Sequence, residues 1–425
     1  MSQYPSQYKI DNISIDGEDI MGLFVSMEIY ENIFIPLVTG NIEFLDTDGA
    51  GFVEDNRIEF NEDFEFMITS ADKKNLRFKG VLNGVEKEGS SGNKKLYKVN
   101  FVSKEMRQND QEFISKKIKG TPKDVVTEMI EKIGGQLDAK GGSGTEMEFV
   151  SGRWKPLHVM KYALTHGVSG QSRATNNDKQ QEETASGTTG FLCWQVLDKG
   201  ENKYRMCPVD ELLKGAFETH EPYEMKTNMR GASAEEDLNS IVEYNFQDMG
   251  DIQTKMKCGA FRATVVSFDM DKGLYKEYDY DGSQEKNLMT DKQKSIVEKP
   301  TRVLMRPYTN DKFAESCRAA QDNTGDQSRE FLQQNNARQN TFNDQSGGVT
   351  LYPQFGVHAG DIIELKINKV KSGDSKGAGG ENQKHSGKYV VKQIGHHFAN
   401  DGRCFSKITT IRSSVQQDRR TASQG

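Results

Sequence analysis

Short segments in which apolar and polar residues alternate dominate the first hundred residues, and they constrain the fold most. Val25, Met27 and Ile29 are apolar, while Ser26 and Glu28 between them are polar. The same period of two recurs in the segments 42–44, 64–68 and 76–78, and turn residues stand at 48–49, 70–72 and 89–93. Strands of this period joined by such turns predict an antiparallel barrel or sandwich with one face in solvent.

The period of the apolar residues changes after residue 120, where the sequence predicts the start of a helix. Thr121 suits the N-cap, Pro122 the first helical position and Asp124 the first turn. An apolar stripe of Val125, Val126, Met129, Ile130 and Ile133 follows. Gly134-Gly135 ends this helix. A second helix is predicted from Pro156, with Leu157, Met160, Ala163 and Leu164 facing inward.

The segments Phe191–Leu197 and Tyr204–Met206 predict a hairpin around Asp198-Lys199-Gly200. Together with the two helices, this hairpin predicts a small α+β domain over residues 105–225, preceded by a first β-barrel over residues 1–104. The intervening stretch 169–189 has almost no apolar residue, so we expect a mobile loop there.

Strand patterns return towards the C-terminus, at 240–246, 259–269, 349–352, 361–367, 388–395 and 403–411. They predict a second β-barrel over residues 226–310 and 345–416, interrupted by a polar helical insertion at 311–344. Residues 371–385 form a second polar loop, and residues 417–425 are predicted to be a disordered tail. The fold class expected is therefore mainly β, with two tube-like barrels flanking the α+β domain.

Charge and composition exclude several classes of function. The formal net charge of −7 argues against a general nucleic-acid binder, which needs a clustered basic face. No apolar run approaches the roughly 20 residues that span a bilayer, so we expect no membrane insertion. Neither does the N-terminus show a secretory signal pattern. The five cysteines include no CxxC pair, which favours free thiols over a disulfide or zinc framework.

The sequence stretches that come nearest to catalytic or ligand-binding motifs all depart from the required spacing. Asp279-Tyr280-Asp281-Gly282 lacks the glutamate of a calcium loop and is interpreted as an acidic turn. Gly89 to Lys95 lacks the order of a phosphate-binding loop and is interpreted as a hairpin turn. His158 and His166 have no metal-binding motif around them, and the adjacent His396 and His397 point to opposite faces of a strand. We therefore expect no catalytic, cofactor-binding or metal-binding residues, and no enzyme activity.

Several motifs, taken in order, resemble one protein family. They are VSMEIYENIFIPLVTGNIEFLDTDG (25–49), NFVS (100–103), SKKIKGTPKDVVTEMIEKIGG (115–135), Phe149 to Pro156, GFLCWQVLDKGENKYRMCPVDELL (190–213), AGDIIEL (359–365), SGKYVV (386–391) and the histidine pair 396–397. In this order they resemble the baseplate central hub proteins of contractile-tailed, T-even-like bacteriophages. The resemblance covers most of residues 8–415, and the long polar loops 169–189 and 371–385 depart from it.

The resemblance implies a structural virion protein of the tail baseplate, made in the host cytoplasm. Three chains with two barrels each would close a pseudo-sixfold ring that joins the tail tube to the central spike and lines the channel for DNA ejection. The implied partners are two further copies of this chain, the trimeric spike protein, the tail tube protein and neighbouring baseplate proteins, with DNA only in transit and no cofactor. The alternatives are a tube or spike-adaptor component of another contractile injection machine, a tail-borne carbohydrate- or receptor-binding module, and a tail-borne cell-wall hydrolase.

Overall fold

One large antiparallel sheet of 13 strands organises the protein. The computed structural model describes residues 4–47, 51–91, 94–144, 146–169, 188–198, 201–225, 237–248, 252–269, 274–284, 291–308, 345–368 and 385–412, with the short pieces 289, 312–313, 333, 336–340 and 382. The expected mainly β class is confirmed, with two strand-rich barrel regions flanking a small α+β region. The domain limits given above stay a prediction.

The first strand-rich region follows the predicted alternation. Its strands are β1 (Tyr8–Ile15), β2 (Glu18–Asp19), β3 (Phe24–Asn32), β4 (Thr39–Thr47), β5 (Asp63–Ser70), β6 (Asn75–Ser91) and β7 (Lys94–Ser103), with helix α1 (Phe52–Asp55) after β4. Their inward side chains bury an aromatic cluster in which the rings of Phe64 and Phe101 lie 4.8 Å apart and those of Phe66 and Phe78 5.5 Å apart. Offset aromatic packing of this kind stabilises a core beyond its buried area.

The middle region contains the predicted helices and hairpin. Its helices are α2 (Glu105–Gln111), α3 (Pro122–Lys132), α4 (Pro156–His166) and α5 (Val209–Lys214), and its strands are β8 (Lys117–Gly120), β9 (Gln136–Ala139), β10 (Met147–Val150), β11 (Val168–Ser169), β12 (Thr188–Thr189), β13 (Phe191–Asp198) and β14 (Glu201–Pro208). Helix α3 begins with the predicted cap, since Thr121 Oγ1 accepts the Asp124 N–H and Asp124 accepts the Thr121 N–H. The predicted start and inward face of α3 are confirmed.

The C-terminal region completes the large sheet. Its strands are β15 (Tyr223–Glu224), β16 (Ile241–Asp248), β17 (Arg262–Asp269), β18 (Leu274–Asp281), β19 (Val303–Tyr308), β20 (Lys312–Phe313), β21 (Gln345–Leu351), β22 (Ile362–Lys366), β23 (Gly387–Ala399) and β24 (Cys404–Arg412), and its helices are α6 (Ile252–Lys257) and α7 (Asp291–Ile296). The six predicted strands are present, with ends shifted by a few residues.

The two strand-rich regions are not separate sheets. Strand β3 pairs antiparallel with β23, so that Ser26 lies opposite Ala399 and Asn32 opposite Gln393. The sheet therefore runs without interruption through β16-β21-β24-β23-β3-β4-β7-β6-β5-β1-β2. Strands β17, β18 and β19 form a smaller sheet outside this path, with a core of its own around Phe261, Val265 and Tyr280.

One interpretation of the sequence is wrong. The predicted acidic turn at 279–282 lies largely in β18, because its polar side chains have partners on β17, and neither β18 nor β19 was expected. Local composition misled here, since a strand partner distant in sequence satisfies the backbone. The hairpin interpretation of 89–93 is confirmed, since Ser91 of β6 pairs with Lys94 of β7. The helical insertion 311–344 stays a prediction: its described residues include β20, which pairs with β10, and a helical piece at 336–340.

Some predicted features lie outside the described residues. These are residues 170–187 of the first polar loop, most of the insertion 311–344, residues 371–381 of the second loop and the tail 417–425. Within the part of the chain that is described, no helix combines the length and apolar character that crossing a membrane requires.

Candidate functional site

The hairpin β13–β14 is a wall shared by three parts of the fold. Phe191 and Cys193 face the core of α3 and α4, whereas Trp194 and Val196 face a cluster that includes Ile362 of β22. Such continuous burial is unusual for a hairpin, whose strands commonly keep one face in solvent. Both faces of β13 are covered, so the hairpin is the place where the regions meet.

A cluster of acidic, basic and histidine side chains lies at this meeting point, and we call it the junction cluster. It consists of Glu31 on β3, Arg205 on β14, His220 after α5, and His358 and Asp361 in the turn before β22, and all of them except the partly exposed His220 are buried. Glu31 and Asp361 have only 2% and 0% of their surface exposed. Buried charges cost free energy unless they are paired and hydrogen-bonded, so their partners are decisive.

Asp361 is bonded through both oxygens. Its Oδ1 accepts from Arg205 Nη1 at 2.7 Å, and its Oδ2 accepts the His358 backbone N–H and lies 2.9 Å from His220 Nε2. Burial alone would raise the pKa of Asp361, but the His220 hydrogen bond and the Arg205 charge outweigh it and lower that pKa. Asp361 is therefore held as a carboxylate that joins the hairpin to the turn before β22.

Glu31 makes the corresponding connection from the first strand-rich region. Its Oε1 accepts the Leu197 N–H at 2.8 Å and lies 3.1 Å from His358 Nδ1, and its Oε2 accepts the Ala359 N–H at 3.0 Å. Burial opposes ionisation of both side chains, but their mutual attraction lowers the pKa of Glu31 and raises that of His358. One side chain of β3 thus binds both the hairpin and the C-terminal region.

Hydrogen bonds between neutral groups and one contact between a cation and an aromatic ring surround these charged residues. Trp194 Nε1 donates to the Ala359 carbonyl at 2.8 Å, and the Arg205 guanidinium lies over the Phe217 ring at 4.7 Å. On the other side of the hairpin, Gln195 Oε1 accepts the Val38 N–H at 3.0 Å. Groups this far from solvent are poorly placed to act on a substrate, and the arrangement is suited to fixing the three regions in one geometry.

His396 lies near the cluster on β23 and is also buried. Its Nδ1 is 2.9 Å from Ser406 Oγ, and its ring packs edge-on against Phe355. Burial lowers the pKa of His396 to about 4. The neighbouring His397 points to the other face and lies 2.7 Å from Glu28 Oε1, as strand alternation predicts.

The buried His396 predicts a loss of stability in acid. The unfolded chain takes up a proton at about pH 6.5, whereas the folded protein resists this until about pH 4, so stability falls as pH decreases through that window. Between pH 7 and pH 5 we expect the wild type to lose about 2 kcal/mol more unfolding free energy than His396→Gln. Urea denaturation at both pH values measures it; parallel losses would contradict the buried neutral state.

The other sequence motifs are not brought together. His158 packs against the Trp154 ring and His166 against the Tyr162 ring, both on α4. Asp279 accepts from Thr264, and Asp281 pairs with Arg262 at 2.9 Å. These contacts are local in sequence or between paired strands, and each side chain has a structural partner.

A cavity of about 240 Å³ lies beside the junction cluster, between α5 and the C-terminal strands. Its lining includes the basic residues Lys214, Lys388 and Arg412, with Thr219 and Ile362. Arg412 donates to the Ser386 carbonyl and lies over the Tyr389 ring. The cavity is therefore lined by basic residues, although the protein as a whole is acidic.

The buried charges were missed by the sequence interpretation, although a signal was present. Glu31 continues the alternation of Met27 and Ile29 and so falls on the core face of β3, where a glutamate needs a partner. Asp361 follows a glycine and precedes an apolar strand, a pattern that indicates a turn residue and not a buried charge.

The fold of this chain is shared with two solved tail proteins. No family model and no curated protein matches the sequence. Among solved structures, the 43 kDa tail protein of prophage MuSo2 from Shewanella oneidensis superposes with a TM-score of 0.56 at 8% identity, covering 96% of this chain and 99% of that one. The tail protein from Neisseria meningitidis MC58 gives 0.51 at 9% identity, covering 97% and 98%. At these identities the likeness shows a shared fold.

Proposed function

We propose that this chain is a structural protein of a phage tail, the central hub of the baseplate of a T-even-like contractile tail. The observation that carries the proposal is the continuous curled sheet built from two strand-rich regions, in a chain that shares its fold with two tail proteins over nearly its whole length. In this proposal the protein joins the tail tube to the trimeric spike, resides in the virion, and has no enzymatic role.

The proposed ring rests on the family resemblance and on the presence of two strand-rich regions in one chain. Three chains with two barrel regions each offer six similar units to a hexameric tube, while the chain itself matches a trimeric spike. The junction cluster suits this task, because a ring that transmits force needs its two barrels held in one orientation. The net charge of −7 is compatible with a channel through which DNA passes, since a basic lumen would bind the phosphates.

The small sheet β17–β19 provides a surface for subunit contact. Val303 and Met305 project from one face of β19 and are 64% and 76% exposed, and Phe268 on β17 lies on the same face with 45% exposed. Among the described strands, β19 pairs with β17 alone, so its outer edge is unpaired there. Exposed apolar side chains next to a strand edge are typical of interaction surfaces.

We predict that Met305→Glu weakens self-association, because a carboxylate would have to be desolvated in an apolar contact. We expect at least a tenfold rise in the trimer dissociation constant, or about 1.4 kcal/mol, measured by light scattering over a concentration series. Val150→Glu is the control, since Val150 is also exposed, at 64% against 76% for Met305, but lies on β10. If both variants weakened self-association equally, the sheet β17–β19 would not be part of the interface.

The oligomeric state tests the proposed function itself. We expect a trimer, at least in the presence of the spike protein, with the mass measured by light scattering on the full chain. A chain that stays monomeric with spike and tube proteins present would contradict the hub. Electron microscopy of the assembly then distinguishes the hub from the alternative, a tube or spike-adaptor component of another contractile injection machine.

A carbohydrate-binding module is disfavoured by the tryptophans. The chain has only two, and Trp194 is fully buried in the junction. Trp154 packs against the rings of Phe149 and Tyr162. Sugar-binding surfaces usually offer exposed aromatic rings, so both tryptophans serve packing in the proposed function.

A further inference from the structure

Three side chains with metal-binding chemistry converge at the junction cluster, to which two of them belong, and the backbone explains why. Thr219 pairs with Ile362 in a short parallel bridge, in which His220 N–H donates to the Ile362 carbonyl and Ile362 N–H donates to the Glu218 carbonyl. Residues two apart in an extended segment share a face, so Glu218 and His220 lie on one side of Thr219. Asp361, directly before Ile362, points to that same side.

The ligand atoms of Glu218, His220 and Asp361 all lie within 4.8 Å of one another. His220 Nε2 and Asp361 Oδ2 are 2.9 Å apart, a separation that two ligands of one ion also adopt. Asp361 is fully buried, the His220 side chain is 19% exposed and Glu218 is exposed, so an ion can enter from solvent. We propose that these residues bind a divalent transition-metal ion such as Zn²⁺ or Co²⁺.

Neighbouring groups orient the proposed ligands. Asp361 Oδ1 is held by Arg205, and the His358 N–H fixes Oδ2, so the buried carboxylate is already positioned. Such outer contacts strengthen metal sites by restricting their ligands. The Arg205 charge opposes a cation, but the second carboxylate, from Glu218, offsets it. An imidazole, two carboxylates and open positions for water form a donor set that suits borderline ions.

Metal binding requires that the hydrogen on Nε2 of His220 moves or leaves. A metal takes the Nε2 lone pair, so a neutral His220 must carry its hydrogen on Nδ1, and a cationic His220 must release one proton. The ion then replaces the His220 to Asp361 hydrogen bond with two coordinate bonds. The ion would fasten the segment after α5 to the turn before β22.

Co²⁺ titration of the full chain, after removal of metal with a chelator, tests the site. Trp194 reports on it, because its indole touches Gly360 and donates to Ala359, next to Asp361. We expect saturable 1:1 binding with quenching of Trp194 fluorescence, and an affinity about 100-fold lower in His220→Ala. His397→Ala is the matched control, since His397 also faces a carboxylate and its side chain is 20% exposed. It should bind like the wild type.

A second variant keeps the test decisive if His220→Ala does not fold. Glu218→Gln changes an exposed side chain and should lower the affinity at least tenfold without changing the fold. The proposal is overturned by absence of saturable binding, by unchanged affinity in both variants, or by the near-ultraviolet charge-transfer band of a Co²⁺ thiolate, which would assign the ion to a cysteine. None of these outcomes depends on whether the chain forms a trimer.

Discussion

Gly360→Val should lower the unfolding free energy by about 3–5 kcal/mol, the largest effect we expect from a single substitution. Gly360 has φ +90°, a conformation that side chains rarely adopt, and a Cβ at this position would lie 2.3 Å from Trp194 Cζ2. Trp194 cannot retreat, because it is fully buried and bonded to Ala359. Urea denaturation followed by far-ultraviolet circular dichroism measures the loss.

Gly402→Val separates the two causes of that effect. Gly402 also has a left-handed φ of +80°, but nothing lies within 4 Å of its Cβ position. Gly402→Val should therefore lose only the unfolding free energy that the strained backbone costs, about 1–2 kcal/mol. Ser169→Ala, in the first polar loop, should leave the melting temperature unchanged. Equal melting temperatures for Gly360→Val and Ser169→Ala would contradict the role given to the turn before β22.

Glu31→Gln should cost about 3 kcal/mol or more, although it changes only one atom of the side chain. The carboxylate accepts two backbone N–H groups, from Leu197 and Ala359, and faces His358. An amide has one acceptor oxygen, so its NH2 group must face one of these donors inside the protein. His358 would also lose the partner that holds its charge.

Glu28→Gln is the matched control, three residues earlier on the same strand. Glu28 faces His397 near the surface, with 35% of its side chain exposed, so its replacement should cost less than about 1 kcal/mol. We expect the chemical denaturation midpoints of the two variants to differ clearly. Similar midpoints would mean that the junction cluster does not hold the regions together.

In the Glu31→Gln/His358→Gln double variant, part of the loss should return, because no buried charge then remains without a partner. The sum of the two single losses should exceed the loss of the double variant by at least about 1 kcal/mol. Strict additivity would show that Glu31 and His358 act independently, despite the 3.1 Å between them.

Local patterns in the sequence were sufficient for most of the framework. The alternation in β3 and β5, the cap of α3 at Thr121 and the hairpin β13–β14 depend on residues close in the chain. Strand β18 was missed because its acidic residues resemble a turn, and their partners Thr264 and Arg262 lie 15 to 19 positions away. Short-range periodicity carries no information about such partners.

The sequence by itself therefore determined the mainly β class, the period of each predicted strand and the place of the α+β region, because side-chain alternation and helix capping are local properties of the backbone. Only the tertiary structure decided that β3 pairs with β23 and makes one sheet of two regions. It alone brought Glu31 to His358 across 327 positions and Arg205 to Asp361 across 156. A buried charge is stable only where a partner of opposite charge or a hydrogen-bonding group lies next to it. The tertiary fold determines which residue that partner is, because the partner is distant in the sequence.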